Sequence, residues 1–244
     1  MDEADRNAVL SIAESIAPLD RDAFEPVLSA MRCASHEPGE LVIAAGEREP
    51  REYFVLSGIL KTYVGDAEGR EATLAFHVGP CALTPSIARV ADERSQGNAG
   101  PLPSFLDPLG GPDAKRQVWG RSRVNCIAMT KTRVAGFPSV ALMECMLRSP
   151  SIQRWGDTVL RAELVRRADR EWALAALSAA ERLLQFRREY AGLEDAIAHH
   201  HIASYLGITP VTLSRVRAQV RDAETDGHFR LFATDRSSVV RPKS

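Results

Sequence analysis

The segment His199–Arg221, HHHIASYLGITPVTLSRVRAQVR, constrains the fold of this chain more than any other stretch. Ile202, Leu206, Ile208, Leu213 and Val216 fall at the spacing of two short helices sharing one small core. Ala203 is small where crossing helices approach closely, and Gly207, without a Cβ, can take the left-handed conformation that ends a helix. Thr209 supplies a hydroxyl cap and Pro210 the first helical position, where an absent N–H costs little. The pattern predicts a helix-turn-helix, whose second helix can lie in the DNA major groove. A plain corner of two helices shares several of these features. The outer face favours the more specific reading: Val211, Ser214, Arg215 and Ala218 lie together, opposite Leu213 and Val216. A solvated face would also tolerate Ser and Arg there.

With 244 residues, the chain exceeds the common domain size of about 100–150 residues, so more than one domain is expected. Its 45% hydrophobic and 26% charged residues are those of an ordinary globular protein. No apolar run approaches a membrane span, and Met1-Asp2-Glu3 is acidic where a signal peptide is basic, which predicts a cytoplasmic protein with no membrane partner. Cys33, Cys81, Cys126 and Cys145 are scattered, without metal or cluster spacing, and read as reduced, buried thiols. The net charge of −1 hides an uneven distribution. After His199, Arg215, Arg217, Arg221, Arg230, Arg236, Arg241 and Lys243 outnumber Asp222, Glu224, Asp226 and Asp235. Phosphate attraction follows this local balance, although a solvated basic tail would look the same.

Three sections follow along the chain. After an opening helical pair, short apolar runs recur at 41–43, 53–56, 59–64, 72–78, 124–129 and 133–137, separated by Gly-bearing turns. This spacing predicts a sandwich or rolled barrel. Residues 91–118 interrupt it with a Gly- and Pro-dense stretch that reads as a long surface loop, an idle insertion or a lid. A long helix is expected over 151–177. Ile152, Trp155, Val159 and Ala162 begin a stripe along it, with Leu160, Leu164 and Ala168 on an adjoining face. The stripe would serve either to pack on the β-rich section or, as its length and position favour, to pair two copies of the chain. Ser178-Ala179-Ala180-Glu181 is a capping box, so a new helix starts there and the chain bends. After the helix-turn-helix, 227–232 and 238–240 suggest a hairpin and hence a winged helix.

Two stretches resemble the Crp/Fnr family of bacterial transcription regulators. PGELVIAAGEREPREYFVLSGILKTYV with GREATLAFHVG is similar to the family's effector-domain β-roll, and SAAERLLQF with IASYLGITPVTLSRVR to its hinge and helix-turn-helix. The resemblance implies an α+β chain in three parts: a double-stranded β-helix (β-roll) sensor at 1–148, a dimerisation helix at 149–177 and a winged helix-turn-helix at 178–244. It implies a homodimer on a two-fold symmetric operator, with half-sites one helical turn apart, and RNA polymerase as a further partner. Ser214 and Arg215 match family positions that contact DNA, and Arg215 can present a bidentate fork to guanine. Thr209, Thr212, Arg217 and His199 are expected at phosphates. Where the family commonly has Glu, this chain has Val211, which can touch a thymine methyl but cannot accept from cytosine, so an altered half-site is expected.

The input side departs from the family. The Gly-Glu pair of cyclic-nucleotide binders is missing from Gly79-Pro80-Cys81-Ala82-Leu83-Thr84-Pro85, and Arg121 and Arg123 align only loosely with the phosphate-binding Arg. Only Cys33 stands where oxygen sensors carry a cysteine group. His77 near Cys81 is the local candidate for a haem ligand, with packing or solvent contact the plainer reading. No cofactor is therefore expected, the effector is unidentified, and no catalytic pattern such as a P-loop or Ser/His/Asp set points to an enzyme. The alternatives are an effector-binding β-roll with a degenerate reader and a haem-dependent gas or redox sensor of the same family.

Overall fold

The structure is a computed structural model that describes residues 1–66, 68–84 and 121–225. Helices α1 (Glu3–Ile16) and α2 (Arg21–Ala30) open the chain. Asp2 and Asp20 cap them by accepting from the backbone N–H groups of Asp5 and Ala23. Among the described residues eight strands follow: β1 (Arg32–His36), β2 (Leu41–Ile43), β3 (Arg51–Ser57), β4 (Ile59–Gly65), β5 (Glu71–Val78), β6 (Cys81–Leu83), β7 (Asn125–Ala128) and β8 (Thr132–Pro138). They form two four-stranded antiparallel sheets, β1-β8-β3-β6 and β2-β7-β4-β5. The double-sheet β-roll expected from the sequence is present. Its β3–β4 turn requires glycine: Gly58 has φ +87°, and a Cβ there would lie 2.5 Å from the Lys131 carbonyl oxygen.

A short helix, α3 (Ser139–Arg148), leads into the long α4 (Pro150–Ala176), which begins with Ser149 as cap and Pro150 in its first turn. Then come α5 (Ala179–Glu189), α6 (Leu193–Ala196), α7 (His199–Leu206) and α8 (Pro210–Thr225). The expected bend at Ser178 is formed by a complete capping box: Ser178 Oγ accepts from the Glu181 N–H, while the Glu181 carboxylate accepts from the Ser178 N–H at 2.8 Å.

The first residues of the stripe expected on the long helix are taken up by the core of the same chain. Ile152 is fully buried and Trp155 is 2% exposed, both inside the core of their own chain, with Val159 packed against it. The Trp155 ring lies against Phe24 and Phe54, and its indole N–H donates to the Ala13 carbonyl at 2.8 Å. The reading of Ile152 and Trp155 as part of a dimer face is corrected on this ground, since the chain's own core already covers them, while Val159 is only partly buried. Ala162 lies outside that core and is exposed. The large apolar groups that α4 leaves exposed are Leu160, Leu164, Val165, Trp172 and Leu174. The 91–118 stretch and the 227–240 hairpin lie outside the described residues.

Candidate nucleic-acid interface

Helices α7 and α8 pack across a core of Ile202, Ala203, Leu206, Leu213, Val216 and Val220, closed by Leu183, Phe186 and Tyr190 from behind. The turn between them forms as the residue types require. Gly207 is left-handed at φ 66°, its N–H donating back to the end of α7, and the Ile208 N–H reaches the Ala203 carbonyl at 3.0 Å. Thr209 Oγ1 accepts from the Thr212 N–H at 3.1 Å, and Pro210 opens α8. The turn also abuts the central helix, since a Cβ on Gly207 would sit 3.2 Å from Leu174 Cδ2.

On the outer face of α8, Val211 is 63% exposed, and Ser214 and Arg215 are exposed beside it. An exposed Val at the start of a capped helix gains nothing from the core; its surface is open to contact from outside. Thr209 and Thr212 stand at the same end, their hydroxyls 2.9 Å apart. The structure therefore brings Thr209, Val211, Thr212, Ser214 and Arg215 together at one end of the corner.

Arg217 and His199 are placed differently. An Arg217 guanidinium nitrogen lies 3.0 and 2.9 Å from the two ring nitrogens of His199, so the cation sits against the ring as a whole. Arg217 Nε also pairs with Glu194 at 2.8 Å, and the same carboxylate holds Arg187 at 2.6 Å. These groups edge a concavity of about 480 Å³ lined by Arg187, His199, Ser214, Arg217 and Arg221. The Glu194 carboxylate offsets part of the positive charge that Arg187 and Arg217 bring to this rim. Sequence reasoning found Arg217 and His199 but missed Glu194 and Arg187, which carry no local motif. It also missed Val220, although the 213, 216, 220 spacing was legible as a continuing helical stripe.

In the β-roll, His77 is hydrogen-bonded to Thr62 Oγ1 at 2.9 Å. Burial, and then the positive charge of Arg166 on α4, push its pKa down to about 4, so it is neutral at physiological pH. Burial pushes the thiols of Cys81 and Cys126 up to about 12, which keeps them protonated and poorly nucleophilic. Among the described residues no group of three His, Cys, Asp or Glu side chains is arranged to hold a metal ion.

The architecture is a β-roll joined through a long helix to a helix-turn-helix. No protein-family model matches the chain, and no curated protein is similar to it in sequence. Solved structures are similar in fold. FixK2 from Bradyrhizobium japonicum has a TM-score of 0.57 at 20% identity, over 81% of this chain and 86% of that one. A protein from Eubacterium rectale assigned to the Crp/Fnr family of transcriptional regulators has a TM-score of 0.57 at 16% identity, over 87% and 89%. The c-di-GMP-responsive global regulator CLP from Xanthomonas campestris has a TM-score of 0.54 at 15% identity, over 85% and 93%. The chain has the Crp/Fnr-like fold. No helix among the described residues is long and apolar enough to cross a membrane.

Proposed function

We propose that the chain is a sequence-specific DNA-binding transcription regulator of the Crp/Fnr type, and not an enzyme. It acts in the cytoplasm as a homodimer on a two-fold symmetric operator, in contact with RNA polymerase, under a signal read by the β-roll. The observation that carries this reading is the α7–α8 corner: a fully packed core behind an exposed face of Val211, Ser214 and Arg215. A degenerate reader would be expected to lose one or the other. Arg215 reads a guanine edge, Val211 meets a thymine methyl, and Thr209, Thr212, Arg217 and His199 serve the phosphates. The division into a sensor at 1–148, a connecting helix at 149–177 and a reader at 178–244 belongs to the same proposal.

The dimer face is assigned to the uncovered side of α4. Leu160, Leu164, Val165 and Trp172 follow one another at offsets of four, one and seven residues, on the side turned away from Ile152 and Trp155. A row of large apolar groups in water is the usual mark of a helix awaiting a partner.

The test is selection of genomic fragments on the purified chain, with the bound pool sequenced after washing at moderate salt. Enrichment of palindromic sites with half-sites about one helical turn apart is expected. A pool with no enriched sequence would overturn the regulator reading.

A further inference from the structure

Among the described residues, strand β5 lies at the edge of its sheet, next to β4 alone. An edge strand leaves alternate backbone N–H and C=O groups without a strand partner. Here the first helix of the corner supplies partners from about 130 residues away. Ser204 Oγ on α7 accepts from the Thr73 N–H at 2.9 Å and donates to the Glu71 carbonyl at 3.0 Å. Arg170 on α4 ties the same two elements together, donating to the Thr73 carbonyl at 2.9 Å and the Tyr205 carbonyl at 2.7 Å. Its guanidinium stands 3.8 Å from the centre of the Tyr205 ring. Beside these bonds, Phe76 of β5 leaves the roll and enters the helical core, 5.5–6.1 Å from the ring centres of Tyr205, Tyr190 and Phe186.

The other flank is charged. Lys61 of β4 is 2% exposed, and its ammonium donates to Glu71 at 2.7 Å and to Nδ1 of His201, on α7, at 3.2 Å. It also stands 4.3 Å from the centre of the Tyr63 ring. Burying the Lys61 ammonium costs desolvation that offsets its attraction to the half-exposed Glu71, so the pair adds little net stability but fixes one geometry over others. A permanently fused interface gains more from apolar groups. Polar partners that depend on a protonation state suit a contact that opens and closes.

Resting on the reading of α8 as a DNA reader, we infer that β5 and α7 form a latch fixing the pose of the reader against the β-roll, and that acid releases it through His201. The bond from Lys61 requires Nδ1 of His201 to be an acceptor, hence the neutral ring. Lys61 from β4, Glu71 from β5 and His200 on α7 itself are the charged and titratable groups facing that ring. Protonation places an imidazolium against the Lys61 ammonium, with one half-exposed carboxylate, Glu71, to serve both.

Burial, followed by the Lys61 charge, lowers the His201 pKa to about 4 in the closed latch. A released His201 returns to about 6.5. The closed form therefore binds fewer protons than the open one, and its advantage is complete above about pH 6.5 and lost as the pH falls toward 4. Between pH 7.5 and 5 the opening equilibrium rises by about tenfold or more.

Hydrogen–deuterium exchange on the full chain tests the latch, with rates corrected for intrinsic pH dependence. Ser204→Ala should raise exchange at least severalfold in the peptide containing Thr73 and in α7, with the rest of the β-roll unchanged. Wild type should show the same local loosening at pH 5, and His201→Gln, which can still accept from Lys61 but carries no charge, should not. Should Ser204→Ala fail to fold, Arg170→Gln removes the bonds to the Thr73 and Tyr205 carbonyls and carries the same expectation. Unchanged exchange in the folded variant, or acid loosening that persists in His201→Gln, overturns the latch. A DNA arm uses a labelled fragment from the selected genomic pool, and Ser204→Ala should shift its affinity at least threefold. Local loosening with affinity inside threefold overturns the latch as the control of the reader. A wild-type chain that selects no DNA overturns the regulator reading, while the exchange results still decide whether the latch exists.

Discussion

The two stretches of helix α4 have opposite surroundings. Over its first turns Ile152 and Trp155 are sealed among α1, α2 and β3, with ring contacts to Phe24 and Phe54. Further along, Leu164 is 52% and Trp172 53% exposed. Both stretches carry large apolar residues at helical spacing, so hydrophobicity alone does not tell them apart. The difference shows that an apolar stripe records only that something covers it; whether that cover is the chain's own core or a second copy is decided by the elements that fold over it. A helix anchored in this way at one end would, under the proposed function, join the β-roll rigidly to whatever covers its exposed half.

Removing the buried indole is the largest expected way to break this contrast. Trp155→Ala deletes a fully packed ring together with its bond to the Ala13 carbonyl, and should lower the stability of the β-roll by about 3–5 kcal/mol, read by urea unfolding. A loss below about 1 kcal/mol would mean that the first turns of α4 are less welded than the packing shows. The exposed half should behave in the reverse manner. Leu164→Asp should change the unfolding free energy of the single chain by no more than about 0.5 kcal/mol. It should nevertheless shift the sedimentation coefficient from that of a dimer toward that of a monomer. A dimer that survives the substitution would place the pairing surface elsewhere.

How much of this was legible in the sequence follows from the distance over which each feature is encoded. The α7–α8 corner was legible almost residue by residue, because Gly207, Thr209 and Pro210 act on their own turn and their neighbours. The strands at 41–43 and 59–64 were legible from apolar runs set between turns. Strand β1, Arg32–His36, was not: it carries Arg, Ser and His with no fully buried residue, so it has no apolar run, and only its pairing with β8 makes it a strand. Trp155 was seen but misassigned, since the rings that cover it lie about 100 residues or more earlier in the chain. The contacts of Ser204 and His201 with the β-roll have the same cause, joining residues that no local spacing connects.

The exposed face of α8 is the reverse of the Trp155 core: under the proposed function its groups should matter to DNA and scarcely to folding. Arg215→Ala should leave thermal unfolding nearly unchanged and cost about 1–3 kcal/mol on the selected site, with discrimination relaxed at one base pair per half-site. Competition binding against sequences altered one base pair at a time reads this directly. Equal loss on every sequence would move Arg215 from base reading to phosphate contact.

The smallest effect is expected where α4 ends and the reader begins. Ser178→Ala removes the hydroxyl that accepts from the Glu181 N–H, leaving that N–H to water at an exposed helix start, and should cost about 1 kcal/mol. The Glu181 carboxylate still reaches the Ser178 backbone N–H, so half of the capping box remains. Because α5 carries Leu183 and Phe186 into the core behind α7 and α8, the loss should appear in the unfolding of the helical part and leave the Trp155 core untouched. Fluorescence of Trp155, in a background with Trp119→Phe and Trp172→Phe, against far-ultraviolet dichroism during urea unfolding separates the two. If both transitions move together by the same amount, the bend at Ser178 transmits stability between the two ends of the chain; if only the dichroism moves, it is a joint.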